Sequence, residues 1–429
     1  MSTDHGSSSS SSFSPIRIVR SLFNQLTAPP RPAPQTAYVN GNNRPPPNPE
    51  PRPVPQTAYI QGASTSATQS IVHQPQRSPS GSTSPPKKDE EEEKENRAIE
   101  SQLQKVDESH ESVHVLSNFV LKLAEKGVDG VRAEYTSIDG SLSPSTSCEA
   151  FHNNMEKNRY SDVFCTESTR VKLWFPNTKH HSDYIHANRI SDPILPPNHY
   201  ICTQGPTKET AQDFWRMVFQ ERTERIIMLC NPLEEGRMKC ALYWPDQETS
   251  ILEYPTLIVK NLGETEDEFI TTNLSLERNP KYEWQMQDLP LLHVKLIRWN
   301  SWPDRGVPSR QSQLLQPLIL LDRVRGYRTV IHCSAGIGRT GCLMALAIAY
   351  EQLRHGKMVD FDQIVRELRR QRAQSIQTEV QYLYICRVIV EYAFKHAGLS
   401  KKARIAGQSF LADYDQKTRR PYFAAAAAE

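Results

Sequence analysis

Val330-Ile331-His332-Cys333-Ser334-Ala335-Gly336-Ile337-Gly338-Arg339-Thr340-Gly341 is the stretch on which the reading of this chain turns. A β-branched run feeds a glycine-containing loop. The loop opens into Cys342–Tyr350, apolar nearly all round, as a buried helix is. Such a strand–loop–helix unit turns backbone N–H groups inward as an anion nest and adds the positive end of the helix. The candidate donors belong to Ser334, Ala335, Gly336, Ile337 and Gly338. The same donors favour the thiolate form of a cysteine at the start of the loop, here Cys333. Arg339 offers a planar fork for two oxygens, which a lysine would not. Thr340 places a hydroxyl where it can donate to a departing thiolate. A free cysteine is usually a small core hydrophobe, but that reading leaves the loop and its arginine unexplained. The residues point to a cysteine nucleophile aimed at a phosphate ester, with no metal or cofactor needed.

Other segments join this one. Trp302-Pro303-Asp304-Arg305-Gly306-Val307-Pro308 lies upstream, with Asp304 29 positions before Cys333. Further back are Lys157-Asn158-Arg159-Tyr160-Ser161-Asp162 and Tyr200-Ile201-Cys202-Thr203-Gln204-Gly205-Pro206, and downstream is Gln377-Thr378-Glu379-Val380-Gln381. Together with the His-Cys-x5-Arg-Thr signature at His332, Cys333, Arg339 and Thr340, these motifs and their order resemble the protein tyrosine phosphatases of non-receptor type. The resemblance runs from Lys157 to Gln381 and implies an α/β fold of the cysteine-phosphatase kind. Its centre would be a twisted, largely mixed sheet flanked by helices.

The resemblance also implies roles. Cys333 attacks phosphorus and Arg339 binds the phosphate. A phenolate leaves poorly near neutral pH, because its pKa is about 10, so Asp304 protonates it as general acid and later acts as base. Gln377 places the hydrolytic water and Gln381 assists. The residues alone leave Gln381 open, because Thr378-Glu379-Val380-Gln381 also reads as a capping box. Glu234, in Glu234-Glu235-Gly236-Arg237-Met238-Lys239-Cys240, orients Arg339. Trp302 anchors the hinge of the acid loop, and His332 is structural or tunes the thiolate. Tyr160 stacks on a phosphorylated phenyl ring, making the pocket too deep for phosphoserine. Asp162 holds the substrate backbone. The partners expected are phosphotyrosine-containing proteins. A phosphotyrosine reader that does not hydrolyse, and a dual-specificity or lipid phosphatase, are the competing readings.

Composition frames this domain. Residues 1–97 hold 16 of the 31 prolines, with serine runs and few large apolar residues. Such a segment cannot bury enough surface to offset its ordering entropy, so a disordered tail with an acidic hinge is expected. Within it, Arg31–Val39 recurs as Arg52–Ile60. The repeat carries two tyrosines that would suit kinases and phosphotyrosine readers, beside proline stretches that would suit SH3 or WW modules. Simple duplication is the alternative. Ser14–Leu26 reads as a transient helix, a transit-like segment or a short partner-binding helix. The catalytic domain is set at 98–399 and a basic, then alanine-rich tail at 400–429, with no function assigned.

A net charge of +2 gives no footprint for nucleic acid. Eight cysteines without CxxC spacing suggest neither a zinc site nor a disulfide frame. A thiolate nucleophile suits a reducing compartment, so a cytoplasmic or nuclear location is expected. Cys342–Tyr350 is too short to span a bilayer, and no receptor-type arrangement is expected.

Short apolar runs at Arg225–Leu229, Leu292–Trp299 and Arg328–His332 read as strands. Phe361, Ile364, Val365 and Leu368 mark a helix, and another starts at Thr207. Three positions depart from the family pattern. Arg305 follows Asp304 where His or Phe is usual, and should favour the ionised acid. His186 and Asn188 stand where Asn and Ser are usual, which predicts altered packing near the recognition loop.

Overall fold

The computed structural model describes residues 110–139, 147–175, 182–282, 290–308 and 313–418. The tail over 1–97, with its hinge, its repeat and its candidate helix, lies outside them, as do residues 419–429.

The described chain opens with helices α1 (His110–Asp139) and α2 (Glu149–His152) and strands β1 (Arg170–Lys172), β2 (Tyr184–Ile190) and β3 (Tyr200–Thr203). Helix α1 breaks its direction at Gly127, which has φ 65° and ψ 173°. Next come α3 (Ala211–Gln220), β4 (Arg225–Met228) and the small hairpin β5 (Leu233–Glu234) with β6 (Arg237–Met238). Strands β7 (Ile251–Glu253), β8 (Leu257–Glu266), β9 (Ile270–Arg278) and β10 (Leu292–Arg298) form a run of their own. The last part alternates α4 (Gln316–Val324), β11 (Thr329–His332), α5 (Arg339–Arg354), α6 (Phe361–Gln371), α7 (Glu379–Phe394) and α8 (Lys401–Thr418).

Nine strands form one mixed sheet in the order β1-β2-β3-β11-β4-β10-β9-β8-β7, flanked by helices. Its central members β3, β11, β4 and β10 run parallel, and both outer flanks are antiparallel. Parallel strands need cover on both faces: β3 and β11 are buried throughout, whereas β10 alternates up to Lys295 and is buried beyond it. Ligands of such sheets bind beyond the carboxyl ends of the strands. The four parallel strands deliver four segments to that edge: Gln204–Pro206, Cys230–Glu234, Trp302–Asp304 and Cys333–Arg339.

The expected strands appear within a residue of their sequence bounds. The helix expected from Thr207 starts at Ala211. Thr207 and Thr210 bond each other's hydroxyls and backbone in a preceding turn instead. A larger correction concerns the C-terminal boundary. The packed body continues past Leu399, because Ala403, Gly407, Phe410 and Tyr414 of α8 are buried. These positions recur every three or four residues and form one helical stripe that packs on α1 and α7.

Candidate active site

Strand β11 lies between β3 and β4 and presents its end from the middle of the sheet. The five carbonyls that follow are all tied away from the loop's centre. Cys333 O accepts from His332 Nδ1 at 3.1 Å, and Ser334 O from the Gly205 N–H at 2.8 Å. Arg372 takes the next two, Ala335 O through Nη2 at 3.1 Å and Gly336 O through Nε at 3.0 Å. Ile337 O accepts the Ile376 N–H at 2.8 Å. In a planar trans peptide the following N–H points opposite to the carbonyl. The N–H groups of Ser334 through Gly338 therefore face inward, and that of Gly336 already meets Cys333 Sγ at 3.3 Å. Gly336 has φ +71°, and a Cβ there would collide with the Thr203 carbonyl, so only glycine fits. Cys333 itself is buried.

Arg339 opens α5 with its guanidinium almost wholly buried. Glu234 accepts both arms, at 2.7 and 2.9 Å, and Trp302 O accepts a third bond at 3.0 Å. The Asn231 N–H holds the same carboxylate at 2.9 Å. Burial opposes the charge on Arg339, yet Glu234 keeps its pKa above the ordinary value. Asp304 joins from the acid loop, with Oδ1 3.0 Å from Arg339 and Oδ2 2.5 Å from Lys239 Nζ. Burial pushes the Asp304 carboxyl up, but Lys239, Arg339 and then Arg305 outweigh it and hold its pKa below the usual value. Trp302 is buried against Trp299 and Tyr384, and its indole N–H closes the acid loop on Gly306 O at 3.0 Å.

Tyr160 forms one wall. Its ring packs with Val163, Ala335 and Ile337. The Ser334 hydroxyl spends its hydrogen on Lys239 O at 3.0 Å, so the Tyr160 hydroxyl, 2.8 Å away, donates to it. Asp162 is exposed beside that wall, with its backbone carbonyl bound by Gln374 at 3.0 Å.

Gln377 and Gln381 lie over the far side of the loop. A Cβ on Gly338 would sit 2.6 Å from Gln377 Oε1 and 3.1 Å from Gln381 Nε2. Gln381 takes part in the cap of α7 and leaves one amide end unused. Its oxygen accepts the Gln377 N–H at 3.0 Å and its backbone N–H bonds the N-cap Thr378, whereas its buried Nε2 has no partner among the described residues. The buried Thr340 hydroxyl also has none.

His332 is fully buried. A carbonyl can only accept, so its Nδ1 carries the hydrogen towards Cys333 O, and Nε2 accepts from the Tyr243 hydroxyl at 2.8 Å. Burial pushes its pKa down to about 4, so the ring is neutral.

Glu234, Trp302, Asp304 and Arg339 thus share one set of bonds, while Tyr160, Gln377 and Gln381 border the loop that carries Cys333. Two supporting groups, Lys239 and Arg372, were not foreseen. Lys239 joins Asp304, and Arg372 holds two loop carbonyls. His186 takes Arg372 Nη1 on its Nδ1 at 3.1 Å and reaches Val163 O at 2.9 Å, while Asn188 takes the same Nη1 at 2.8 Å. His186 and Asn188, the two positions singled out beside Tyr184, thus both meet Arg372.

Residues 154–391 match the family model of protein-tyrosine phosphatases. Human tyrosine-protein phosphatase non-receptor type 9 is 34% identical over 327 residues, which cover 70% of this chain and 53% of that one. Mouse tyrosine-protein phosphatase non-receptor type 4 is 33% identical over 297 residues, covering 67% and 30%. The chain spans about half the length of the human, rat and mouse type 9 relatives. A solved structure concerned with the PTPN18 fingerprint on distinct HER2 tyrosine phosphorylation sites superposes with a TM-score of 0.57 at 29% identity, covering 65% of this chain and 99% of that one. Among the described residues no helix is long and apolar enough to cross a membrane.

Proposed function

Because this chain belongs to the protein-tyrosine phosphatase family, we propose that it hydrolyses phosphotyrosine in proteins through a phosphocysteine on Cys333. The observation that carries this reading is the set of five loop carbonyls tied to partners outside the loop, with the Gly336 N–H on the Cys333 sulfur, from which a nest of inward N–H donors follows. Preorganised donors of this kind stabilise developing charge without reorganising during the reaction.

In the first step the Cys333 sulfur bonds to phosphorus and the bond from phosphorus to the tyrosyl oxygen breaks. Asp304 hands its proton to that oxygen, a contribution typically on the order of 10²–10⁴ in rate. Paired with Lys239 and Arg339, Asp304 is held ionised. A phosphate dianion at Arg339 displaces that pairing, and its negative charge raises the carboxyl into its acid form. Glu234 keeps the Arg339 fork in plane for the phosphate oxygens. In the second step water attacks phosphorus, the bond to sulfur breaks, and Asp304 takes the water's proton. Gln377 and the free amide end of Gln381 orient that water, and Thr340 donates to the leaving thiolate. The wall of Tyr160, Val163, Ala335 and Ile337 fits an aryl group and sets the depth that favours phosphotyrosine. Asp162 takes the backbone N–H groups of the bound peptide. All eight cysteines are free thiols, which fits a reducing compartment such as cytosol or nucleus.

Initial rates on a phosphotyrosine peptide and its phosphothreonine counterpart, for wild type and Cys333→Ser, test this. Turnover of the phosphotyrosine peptide alone, abolished in the variant, is expected. Comparable rates on both peptides would indicate dual specificity, and tight binding without turnover would indicate a reader.

A further inference from the structure

Helices α1 and α8 lie outside the residues that match the family model, yet α1 bonds directly to the glutamine loop. The Tyr135 hydroxyl donates to Ile376 O at 3.2 Å. Its ring packs on Tyr382, centroids 5.5 Å apart, and lies 5.4 Å below the Arg369 guanidinium. Arg369 in turn bonds Ser375 O and Ile376 O, at 2.9 and 3.0 Å. Ile376 has φ +63° and Gln374 φ +61°. A β-branched residue in that region persists only where its surroundings over-determine it. The same Ile376 gives its N–H to Ile337 O in the catalytic loop. One strained residue, directly before Gln377, thus joins the catalytic loop on its N–H side and α1 on its carbonyl side.

A second anchor stands three residues on. Arg132 Nε of α1 lies 2.7 Å from Glu379 Oε1, at the first position of α7. Helix α8 braces that arginine, because Arg132 Nη2 donates to Lys417 O at 3.3 Å and Lys417 Nζ pairs with Asp129 at 2.6 Å.

On the phosphotyrosine-hydrolase reading above, we propose that Tyr135 and Arg132, braced by α8, are positioning residues for Gln377 and Gln381 in the second half-reaction. Water must be aimed at phosphorus only after the phosphocysteine exists. The first half-reaction uses Cys333, Arg339 and Asp304, none of which α1 touches through these bonds. Loosening the clasp therefore slows phosphocysteine hydrolysis more than its formation, which Ile376 reaches only through the Ile337 carbonyl.

Quench-flow on the full chain with a radiolabelled phosphotyrosine peptide follows both rates. Tyr135→Phe keeps the ring and removes one hydroxyl, and Arg132→Met keeps much of the stem and removes the charge. In either variant the decay of phosphocysteine should slow about five- to tenfold, with a clearly smaller change in its formation rate and kcat/KM. A merely structural role would lower both rates together. That result, or an unchanged decay, would overturn the assignment. A wild-type trace without any phosphocysteine would overturn the hydrolase reading itself, and the wild-type trace tells the two failures apart.

Discussion

Arg305 carries a side chain where the backbone asks for something else. Its φ is +53°, uncommon for a residue with a Cβ, and it directly follows the acid. Thr378 holds its carbonyl at 3.2 Å, tying the acid loop to the start of α7. Its charge is one of those that hold the Asp304 carboxyl down. On the proposed mechanism Asp304 is the general acid and must be protonated, so activity falls as pH rises through its pKa in the enzyme–substrate complex. Arg305→His, neutral above about pH 6.5, should move that descending limb of the kcat profile to higher pH. A profile that superimposes on wild type would mean that Arg305 does not reach Asp304 in the complex. At this scale the sequence was informative where chemistry is local: Cys333 and Arg339 share one loop. Lys239 was missed because its partner Asp304 lies 65 positions away and a lysine on a hairpin reads as solvated. Arg372 was missed because it ends the basic run Arg369-Arg370-Gln371-Arg372, while its side chain is buried among loop carbonyls.

Helices α5 and α6 announce themselves, one by apolar residues nearly all round and the other by the Phe361, Ile364, Val365, Leu368 stripe, all four of which are buried. Helix α8 does not. Its buried stripe uses an alanine and a glycine and is flanked by Lys401, Lys402 and Arg404, so its composition reads as a basic tail. Small residues are there because the helices approach closely: a Cβ on Gly407 would lie 2.8 Å from the Phe394 ring and 2.9 Å from Val120 Cγ1. Phe410 supplies the bulk of the stripe and is 3% exposed. Phe410→Ala should cost about 3–5 kcal/mol, as large-to-small changes at buried aromatics do. Urea unfolding measures it directly, and a loss below about 1 kcal/mol would mean that α8 rests on the body without contributing a core.

For the whole molecule, the order of the motifs could be read along the chain, but the order of the strands could not. Nothing local states that β4 sits between β11 and β10, since those neighbours are set by packing among distant segments. That placement is what brings Glu234, Asp304 and Arg339 into one cluster, each from a loop after a different parallel strand. Beside this cluster the catalytic loop brings the Gly336 N–H to the Cys333 sulfur, so the proposed chemistry stands on the covalent step at Cys333. The direct test is to quench wild-type turnover of a labelled phosphotyrosine peptide in acid within milliseconds, digest the protein, and find the labelled residue. The account predicts phosphate on Cys333, appearing and disappearing fast enough to carry every turnover. Steady hydrolysis with no labelled enzyme, or label on another residue such as His332, would contradict it.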